Sequence, residues 1–161
     1  MTEEPIDHAT ILVVDDEEIV LKSIKSYLVL ETEYQVLDFL SPFKALESLR
    51  NRTIDLVISD YLMPEMNGID FLLKVREAQP LATRIMLTAY ADKENAIRAI
   101  NDVGLFQYIE KPWDNEQLKI IIRNGLERRF LIQELEETIR DFETSQSQLK
   151  TIHNKILKAF V

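Results

Sequence analysis

Acidic residues stand at the ends of two apolar segments of this sequence. Asp15 and Asp16 directly follow the apolar run 11–14, and Asp60 directly follows the apolar segment 54–59. Several carboxylates brought close together at neutral pH need a compensating cation. Mg²⁺ suits oxygen donors and binds through one or two carboxylates together with phosphate oxygens. If the fold unites these residues, they predict a magnesium site in which Asp60 is a nucleophile that accepts a phosphoryl group.

Two other polar residues follow later apolar segments. Thr88 comes after 84–87, and Lys111 comes after 105–109. A lysine would supply positive charge to a transferred phosphoryl group, and a threonine would supply a hydroxyl donor. Each residue alone has a simpler interpretation, since acids favour helix N-termini and a surface lysine is ordinarily solvated. Their shared position at successive segment ends favours the functional interpretation.

The hydrophobic periodicity predicts an α/β fold in which strands alternate with helices. Short apolar runs predict five strands, and helical spacing between them predicts helices that cover both faces of a parallel sheet. Ligands of such doubly wound sheets bind beyond the carboxyl ends of the strands. We expect the first helix to bury Ile19, Val20, Ile24, Tyr27 and Leu28. The predicted strands are 11–14, 34–38, 54–59, 84–87 and 105–109, and the predicted helices include 19–30, 67–78 and 92–101.

Composition excludes several classes of site. The 161-residue chain has no cysteine, so disulfides, thiolate metal sites and cysteine nucleophiles are excluded. Its first ten residues are acidic and polar, unlike a signal peptide, and no run approaches the roughly 18 apolar residues of a membrane span. The net charge of −9 argues against direct nucleic-acid binding by this segment. We therefore expect a cytoplasmic protein that has no contact with a membrane.

The chain resembles the receiver domain of bacterial two-component response regulators, which has a flavodoxin-like fold. The resemblance covers residues 10–125 and includes the order, spacing and strand context of its motifs. It rests on Ile-Leu-Val-Val-Asp15-Asp16-Glu17, on Asp60-Tyr-Leu-Met63-Pro64 through Gly68, on Leu87-Thr88-Ala89, and on Tyr108 with Lys111-Pro112.

The resemblance implies a role for each matching residue. Asp60 would be phosphorylated by a histidine kinase or a phosphotransfer protein. Mg²⁺ would be held by Asp15, Asp16, Asp60 and the main-chain carbonyl of Leu62. Thr88 and Tyr108 would form the switch pair, Lys111 would contact the phosphoryl group, and the Lys111–Pro112 peptide is often cis in this family. The chain would then be a regulatory phosphoacceptor that is not an enzyme beyond its own phosphorylation and dephosphorylation.

The last part of the chain predicts a helical arm. We assign residues 1–125 to the receiver and 126–161 to an arm with a heptad pattern. A parallel homodimer through this arm is the default expectation, and an amphipathic helix that packs on its own receiver is the alternative. The pattern stops without a capping signal, which favours an output domain beyond Val161. The core positions are Ile132, Leu135, Ile139, Phe142, Gln146, Leu149, His153, Ile156 and Phe160.

Two other functions compete with a phosphorylation-switched regulator that relays its signal through the arm. One is a complete adaptor that binds a partner through the arm. The other is a phosphatase with an aspartyl-phosphate intermediate. Such phosphatases place the nucleophile after the first strand and a second aspartate two residues later. Position 17 is glutamate here and the two aspartates are adjacent, so the phosphatase interpretation is weak.

Overall fold

A computed structural model of the chain describes residues 4–89, 94, 97 and 101–160. The predicted helix 92–101 lies largely outside the described residues. The strands are β1 (Thr10–Val14), β2 (Gln35–Phe39), β3 (Leu56–Asp60), β4 (Thr83–Thr88) and β5 (Gln107–Glu110). The helices are α1 (Glu18–Glu31), α2 (Pro42–Ser48), α3 (Gly68–Ala78) and the C-terminal helix (Asn115–Ala159), and a 3₁₀ turn spans Pro5–His8.

The strands form one sheet in the order β2-β1-β3-β4-β5, and all four neighbouring pairs are parallel. Parallel neighbours require crossover connections, and α1, α2 and α3 each lie in such a connection. The predicted five-stranded parallel α/β fold with a long C-terminal helix is confirmed.

The two faces of the sheet bury alternate side chains of each strand, as the two-residue period of a strand requires. Leu12 and Val14 of β1 belong to an apolar cluster that includes Ala45 of α2 and Phe71 of α3. The intervening residues of β1 point to the opposite face and are also fully buried. Burial on both faces explains why the inner strands β1, β3 and β4 are largely apolar, whereas the edge strands β2 and β5 are partly exposed and carry polar residues.

Helix α1 buries Ile24 and Leu28 and half-buries Val20 and Tyr27 as expected, but Ile19 lies outside this face and Leu21 was not predicted. Leu21, Ile24 and Leu28 are its buried residues, whereas Ile19 is 74% exposed. The spacing 21, 24, 28 follows one stripe of a helix with 3.6 residues per turn. Ile19 is five residues before Ile24, about 140° away around the helix axis, so it cannot share that stripe.

The C-terminal helix continues through Gly125, although glycine disfavours the interior of a helix. The Asp114 side chain accepts a hydrogen bond from the Gln117 amide at 2.9 Å, which caps the first turn. Gly125 is buried against the sheet, and its carbonyl accepts a hydrogen bond from Thr83 Oγ1 at 2.8 Å. The glycine therefore permits a close approach of helix and sheet.

Replacing Gly125 by alanine is expected to make the protein about 1 kcal/mol or more less stable, although alanine favours helix by about 1 kcal/mol. An added Cβ would lie 2.9 Å from Thr83 Cγ2 and 3.2 Å from Leu56 Cδ1. Thr83 cannot rotate away without losing its hydrogen bond to the glycine carbonyl. Urea unfolding measures the effect, and Asn124→Ala, at an exposed neighbour, should instead raise stability by a few tenths of a kcal/mol. A Gly125→Ala protein more stable than the parent would contradict the packing argument.

The chain divides into two compact units, Met1–Arg129 and Phe130–Val161. The first contains the sheet and the apolar core. The described part of the second is helical and exposes a series of large apolar side chains. These are Leu131, Leu135, Ile139, Phe142, Leu149, Ile152, Ile156, Leu157 and Phe160. Among the described helices, none combines the length and apolarity that a membrane-spanning segment needs.

Candidate metal and phosphoryl site

The strand register brings the ends of four strands to one edge of the sheet. Because β1, β3, β4 and β5 are parallel neighbours, the residues that follow them leave the sheet on the same side. Asp15 and Lys111 follow the last residues of β1 and β5, while Asp60 and Thr88 are themselves the last residues of β3 and β4. The pairs at this edge are Val14 with Ser59, Asp60 with Leu87, and Thr88 with Glu110.

Three carboxylates meet at this edge. Asp15, Asp16 and Asp60 each offer an oxygen atom, and these atoms lie within 4.8 Å of one another. Asp15 is fully buried and Asp60 is 6% exposed, whereas Asp16 is exposed. The amide of Glu17 donates to Asp15 Oδ1 at 2.8 Å, which fixes that carboxylate at the entrance to α1.

Lys111 lies between the two buried carboxylates. Its Nζ is 2.9 Å from Asp15 Oδ2 and 3.2 Å from Asp60 Oδ1. The Lys111 amide donates to the Thr88 carbonyl at 2.8 Å, which ties this segment to β4. The Lys111–Pro112 peptide is cis, as the resemblance led us to expect. The structure therefore brings the predicted lysine to the predicted nucleophile.

The site carries more negative charge than Lys111 can neutralise. Burial, together with the neighbouring charge of Asp15, raises the pKa of Asp60 to about 6, in spite of Lys111. Burial also raises the pKa of Asp15. Burial alone would lower the pKa of Lys111, but its bonds to Asp15 and Asp60 raise it overall. Three ionised carboxylates and one ammonium leave a formal charge of −2, which matches a divalent cation.

This donor set fits Mg²⁺. The ion takes oxygen ligands, uses few carboxylates and retains water molecules that phosphate oxygens can replace. Asp15, Asp16 and Asp60 supply such oxygens on one side of the site. Leu62, whose main-chain carbonyl the resemblance assigns as a fourth ligand, lies two residues after Asp60 in the β3–α3 loop, with its side chain 59% exposed.

Thr88 is buried with an unpaired hydroxyl. Its side chain is fully buried, and among the described residues its Oγ1 has no hydrogen-bond partner. A buried polar group without a partner costs on the order of 1–3 kcal/mol. Such a hydroxyl at the edge that holds Asp60 is positioned to donate to an incoming phosphoryl oxygen.

Replacing Thr88 by valine is expected to raise the stability of the metal-free protein by on the order of 1 kcal/mol, because an isosteric methyl group replaces an unsatisfied hydroxyl. Thr83→Val in the same strand is the matched control, since its hydroxyl donates to Gly125 and its loss should lower stability. Denaturant unfolding of both variants checks the signs. Equal destabilisation of the two would show that the Thr88 hydroxyl has a partner in the folded state.

Tyr108 lies farther from the edge than the other predicted residues. It is half-buried in β5, opposite Met86, and packs against the apolar cluster between the sheet and the α2–α3 layer. This placement is the one expected of an aromatic ring whose role is to pack against the core.

Sequence reasoning gave no role to Gly68. Its amide donates to the Tyr61 carbonyl at 2.8 Å, and an added Cβ would lie 2.2 Å from the Asp60 carbonyl oxygen. Gly68 therefore allows the first turn of α3 to pack directly on the backbone of the nucleophile. Its φ angle is not positive, so only the close approach requires glycine, and the sequence gives no local signal of that.

The fold and the acidic edge together define a receiver domain. The sequence model of the family described as "Response regulator receiver domain" matches residues 11–123. The chain therefore belongs to the response regulator receiver domain family.

Individual relatives agree with this assignment. The chain is 32% identical over 142 residues to the hydrogenase transcriptional regulatory protein HoxA of Cupriavidus necator, an alignment that covers 88% of this chain and 29% of the relative. It is 35% identical over 132 residues to the transcriptional regulatory protein ZraR of Escherichia coli O157:H7, covering 82% and 29%. The chain thus spans less than a third of the length of these curated relatives.

Solved structures show the same fold. A response regulator receiver domain protein from Clostridium thermocellum has a TM-score of 0.72 and 36% identity, covering 77% of this chain and 98% of that one. The adenylate cyclase structure from Rhodopirellula baltica has a TM-score of 0.77 and 27% identity, covering 83% and 98%.

Proposed function

We propose that this chain is a cytoplasmic, phosphorylation-switched response regulator in which Asp60 accepts a phosphoryl group in a Mg²⁺-dependent reaction. The donor would be a histidine kinase or a phosphotransfer protein. One observation carries the proposal: three carboxylates lie within 4.8 Å of one another, and the Lys111 ammonium contacts the two that are buried. A purely structural ion pair would need only one carboxylate beside Lys111. The other two carboxylates of the cluster would add unfavourable negative charge.

The carboxylate of Asp60 is the nucleophile in this proposal. Its Oδ1 accepts from the Tyr61 amide at 2.9 Å and faces Lys111, so these contacts hold the group while the other oxygen attacks phosphorus. A bond forms between that oxygen and phosphorus, and the bond from phosphorus to the donor breaks, with its electron pair leaving on the donor. The product is an acyl phosphate on Asp60.

Asp15, Asp16, Asp60 and the main-chain carbonyl of Leu62 would hold the magnesium ion. When bound, the ion neutralises charge on the phosphoryl oxygens and offsets the repulsion among the carboxylates. The protein contributes rigid placement, because Asp15 is fixed by the Glu17 amide and Asp60 ends a fully buried strand.

Lys111 and Thr88 would stabilise the phosphorylated form. Phosphorylation adds several acceptor oxygens and about −1.5 to −2 charges. The Lys111 ammonium would bind one of these oxygens, and the unpaired Thr88 hydroxyl would donate to another. We propose that movement of Thr88 towards the phosphoryl group gives the Tyr108 ring room to turn, which shifts the population of conformations at β5.

The arm would carry the signal onward. We propose that residues 1–125 act as the receiver and that residues 126–161 form a coiled coil between two copies of the chain. The support is the series of exposed apolar side chains, which includes Leu135, Phe142 and Leu149 at 58–63% exposure. A helix with such a face gains stability when a second helix covers it.

Incubation with a small phosphodonor and Mg²⁺ tests the phosphoacceptor role. Intact mass should show one phosphoryl group per chain, dependent on Mg²⁺ and absent from Asp60→Asn. Asp55→Asn is the matched control, because Asp55 is a buried carboxylate that pairs with Arg129 and lies outside the acidic cluster. This variant should still be phosphorylated. Equal phosphorylation of Asp60→Asn would overturn the proposal, and rapid release of phosphate over many turnovers would favour the phosphatase alternative.

A further inference from the structure

The charges of the arm are separated into two blocks along one helix. Residues 134–143 contain five carboxylates and one arginine, a net charge of −4. Residues 144–160 contain three lysines and no carboxylate, a net charge of +3 with histidine neutral. Both blocks lie in the helix Asn115–Ala159, and their charged side chains are exposed. The helix therefore presents an acidic half followed by a basic half.

The apolar stripe runs along both blocks. Phe142 in the acidic half is 63% exposed, and Leu149 and Ile156 in the basic half are 63% and 50% exposed. A partner that covers the whole stripe must therefore face both blocks at once. A second copy of the chain satisfies this condition, and its orientation decides which blocks meet.

We infer that two copies of the arm pair in antiparallel orientation, so that the acidic half of each lies beside the basic half of the other. The inference rests on the dimer proposed above and specifies its geometry. A parallel pair would place −4 beside −4 and +3 beside +3 within one Debye length, about 10 Å at 0.1 M salt. An antiparallel pair replaces both repulsions by attractions.

The flanking positions agree with the block charges. In the antiparallel stagger that aligns residues 132–156 of both copies, Glu136 lies beside Lys150 of the second copy. In the same stagger Glu143 lies beside Glu143 of the second copy, so two Glu136–Lys150 attractions outnumber one repulsion between like charges. In a parallel pair the same positions of the heptad face Leu131, Thr138 and Ser145, which carry no charge.

The polar core residues are the main argument for the parallel arrangement. Gln146 and His153 would each face its own copy in a parallel pair and an apolar residue in an antiparallel one. A long polar side chain at a two-helix seam can reach water at the edge of the interface. In a parallel pair, the repulsion between blocks of like charge cannot be avoided by a change of side-chain conformation. The charge blocks therefore decide the orientation.

A spin-label distance on the full chain tests the orientation. Because the chain has no cysteine, Gln133→Cys provides a single label on the outer side of the helix. At 1.5 Å per residue the two labels should lie roughly 30–45 Å apart in the antiparallel dimer, against under about 25 Å in a parallel one. A dimer with a short distance between the labels would overturn only the antiparallel orientation and would leave the proposed coiled coil standing. A monomer by sedimentation would overturn the proposed coiled coil itself.

Charge-reversal variants test the orientation of the two helices independently, because the change in dimer affinity should have opposite signs in the two arrangements. Lys150→Glu should weaken an antiparallel dimer on the order of tenfold, and Glu136→Lys in the same chain should restore it. The outward-facing Thr151→Glu is the control for added negative charge. Raising salt from 0.05 to 1 M should also weaken the dimer, because attraction between the blocks is screened. A parallel dimer would instead be unchanged or tighter with Lys150→Glu and with salt, which would overturn the inference.

Discussion

Replacing Asp60 by asparagine is expected to make the metal-free protein more stable at pH 7 by on the order of 2–3 kcal/mol. Folding raises the pKa of Asp60 from 3.8 to about 6, chiefly because the carboxylate is buried and Asp15 lies beside it. The ionised group therefore costs free energy in the folded state that a neutral amide of the same shape avoids. Equilibrium unfolding in urea with a chelator present measures the difference.

The gain should depend on pH with a defined sign. Below about pH 4, Asp60 is protonated in both the folded and the unfolded chain, so the two proteins should be equally stable. Between pH 4 and pH 6 the unfolded chain loses this proton first, so the stability of the parent protein falls as pH rises. Above pH 6 the advantage of the asparagine variant should be constant.

Asp55→Asn is the control for this effect and should have the opposite sign. Asp55 Oδ1 lies 3.0 Å from Arg129 Nε, and Asp55 Oδ2 accepts from the Thr10 amide at 2.8 Å. Asparagine would remove the negative charge that Asp55 places beside the buried guanidinium, which should lower the free energy of unfolding by at most several kcal/mol. Added Mg²⁺ should stabilise the parent and the Asp55 variant more than Asp60→Asn. If Asp60→Asn proved less stable than the parent at every pH, the electrostatic account of the site would be wrong.

Replacing Gly68 by alanine is expected to cost more than 3 kcal/mol and to remove phosphoryl uptake. An added Cβ would lie 2.2 Å from the Asp60 carbonyl oxygen, 3.0 Å from its carbonyl carbon and 3.1 Å from the Tyr61 Cα. All three are backbone atoms, so no side-chain rotation can relieve the overlap, and either β3 or the start of α3 must move. Thermal and urea unfolding measure the loss, and intact mass after phosphodonor treatment measures uptake.

Asp70→Ala is the matched control for Gly68→Ala. It lies in the same first helical turn, is exposed, and should change stability by less than about 1 kcal/mol while leaving phosphorylation intact. A Gly68→Ala protein within about 1 kcal/mol of the parent, with normal uptake, would mean that this backbone contact is not present in solution.

The site could be predicted from the sequence because each residue of the site lies at or just after the end of a strand. Strands covered on both faces read as apolar runs, and the polar residues one or two positions after each run mark the carboxyl edge of the sheet. Asp15, Asp60 and Lys111 were predicted in this way, and the structure brings them within hydrogen-bond distance along the β1–β3–β4–β5 register. The parallel direction of the strands follows from the alternation of helices and strands.

What the sequence missed depends on close packing between distant segments. Gly68 and Gly125 are required by the backbone and side-chain atoms that a Cβ would meet, and those atoms are seven to 69 residues away along the chain. In α1, Ile19 was wrongly expected to be buried and Leu21 was missed, because Ile19 and Val20 are as apolar as Leu21. Only the position of the sheet decides which of these three neighbouring residues is covered.

The acidic edge is assembled from residues 15, 60, 88 and 111, which follow or end four different strands. No two of these strands are joined by a tight turn, so the four residues can meet only when the sheet has formed through β5. A chain whose synthesis or folding has stopped earlier would carry the same aspartates as isolated, solvated carboxylates that are poor nucleophiles. If Asp60 accepts a phosphoryl group as proposed, only a completely folded copy of the protein would be phosphorylated, and incomplete chains would not respond.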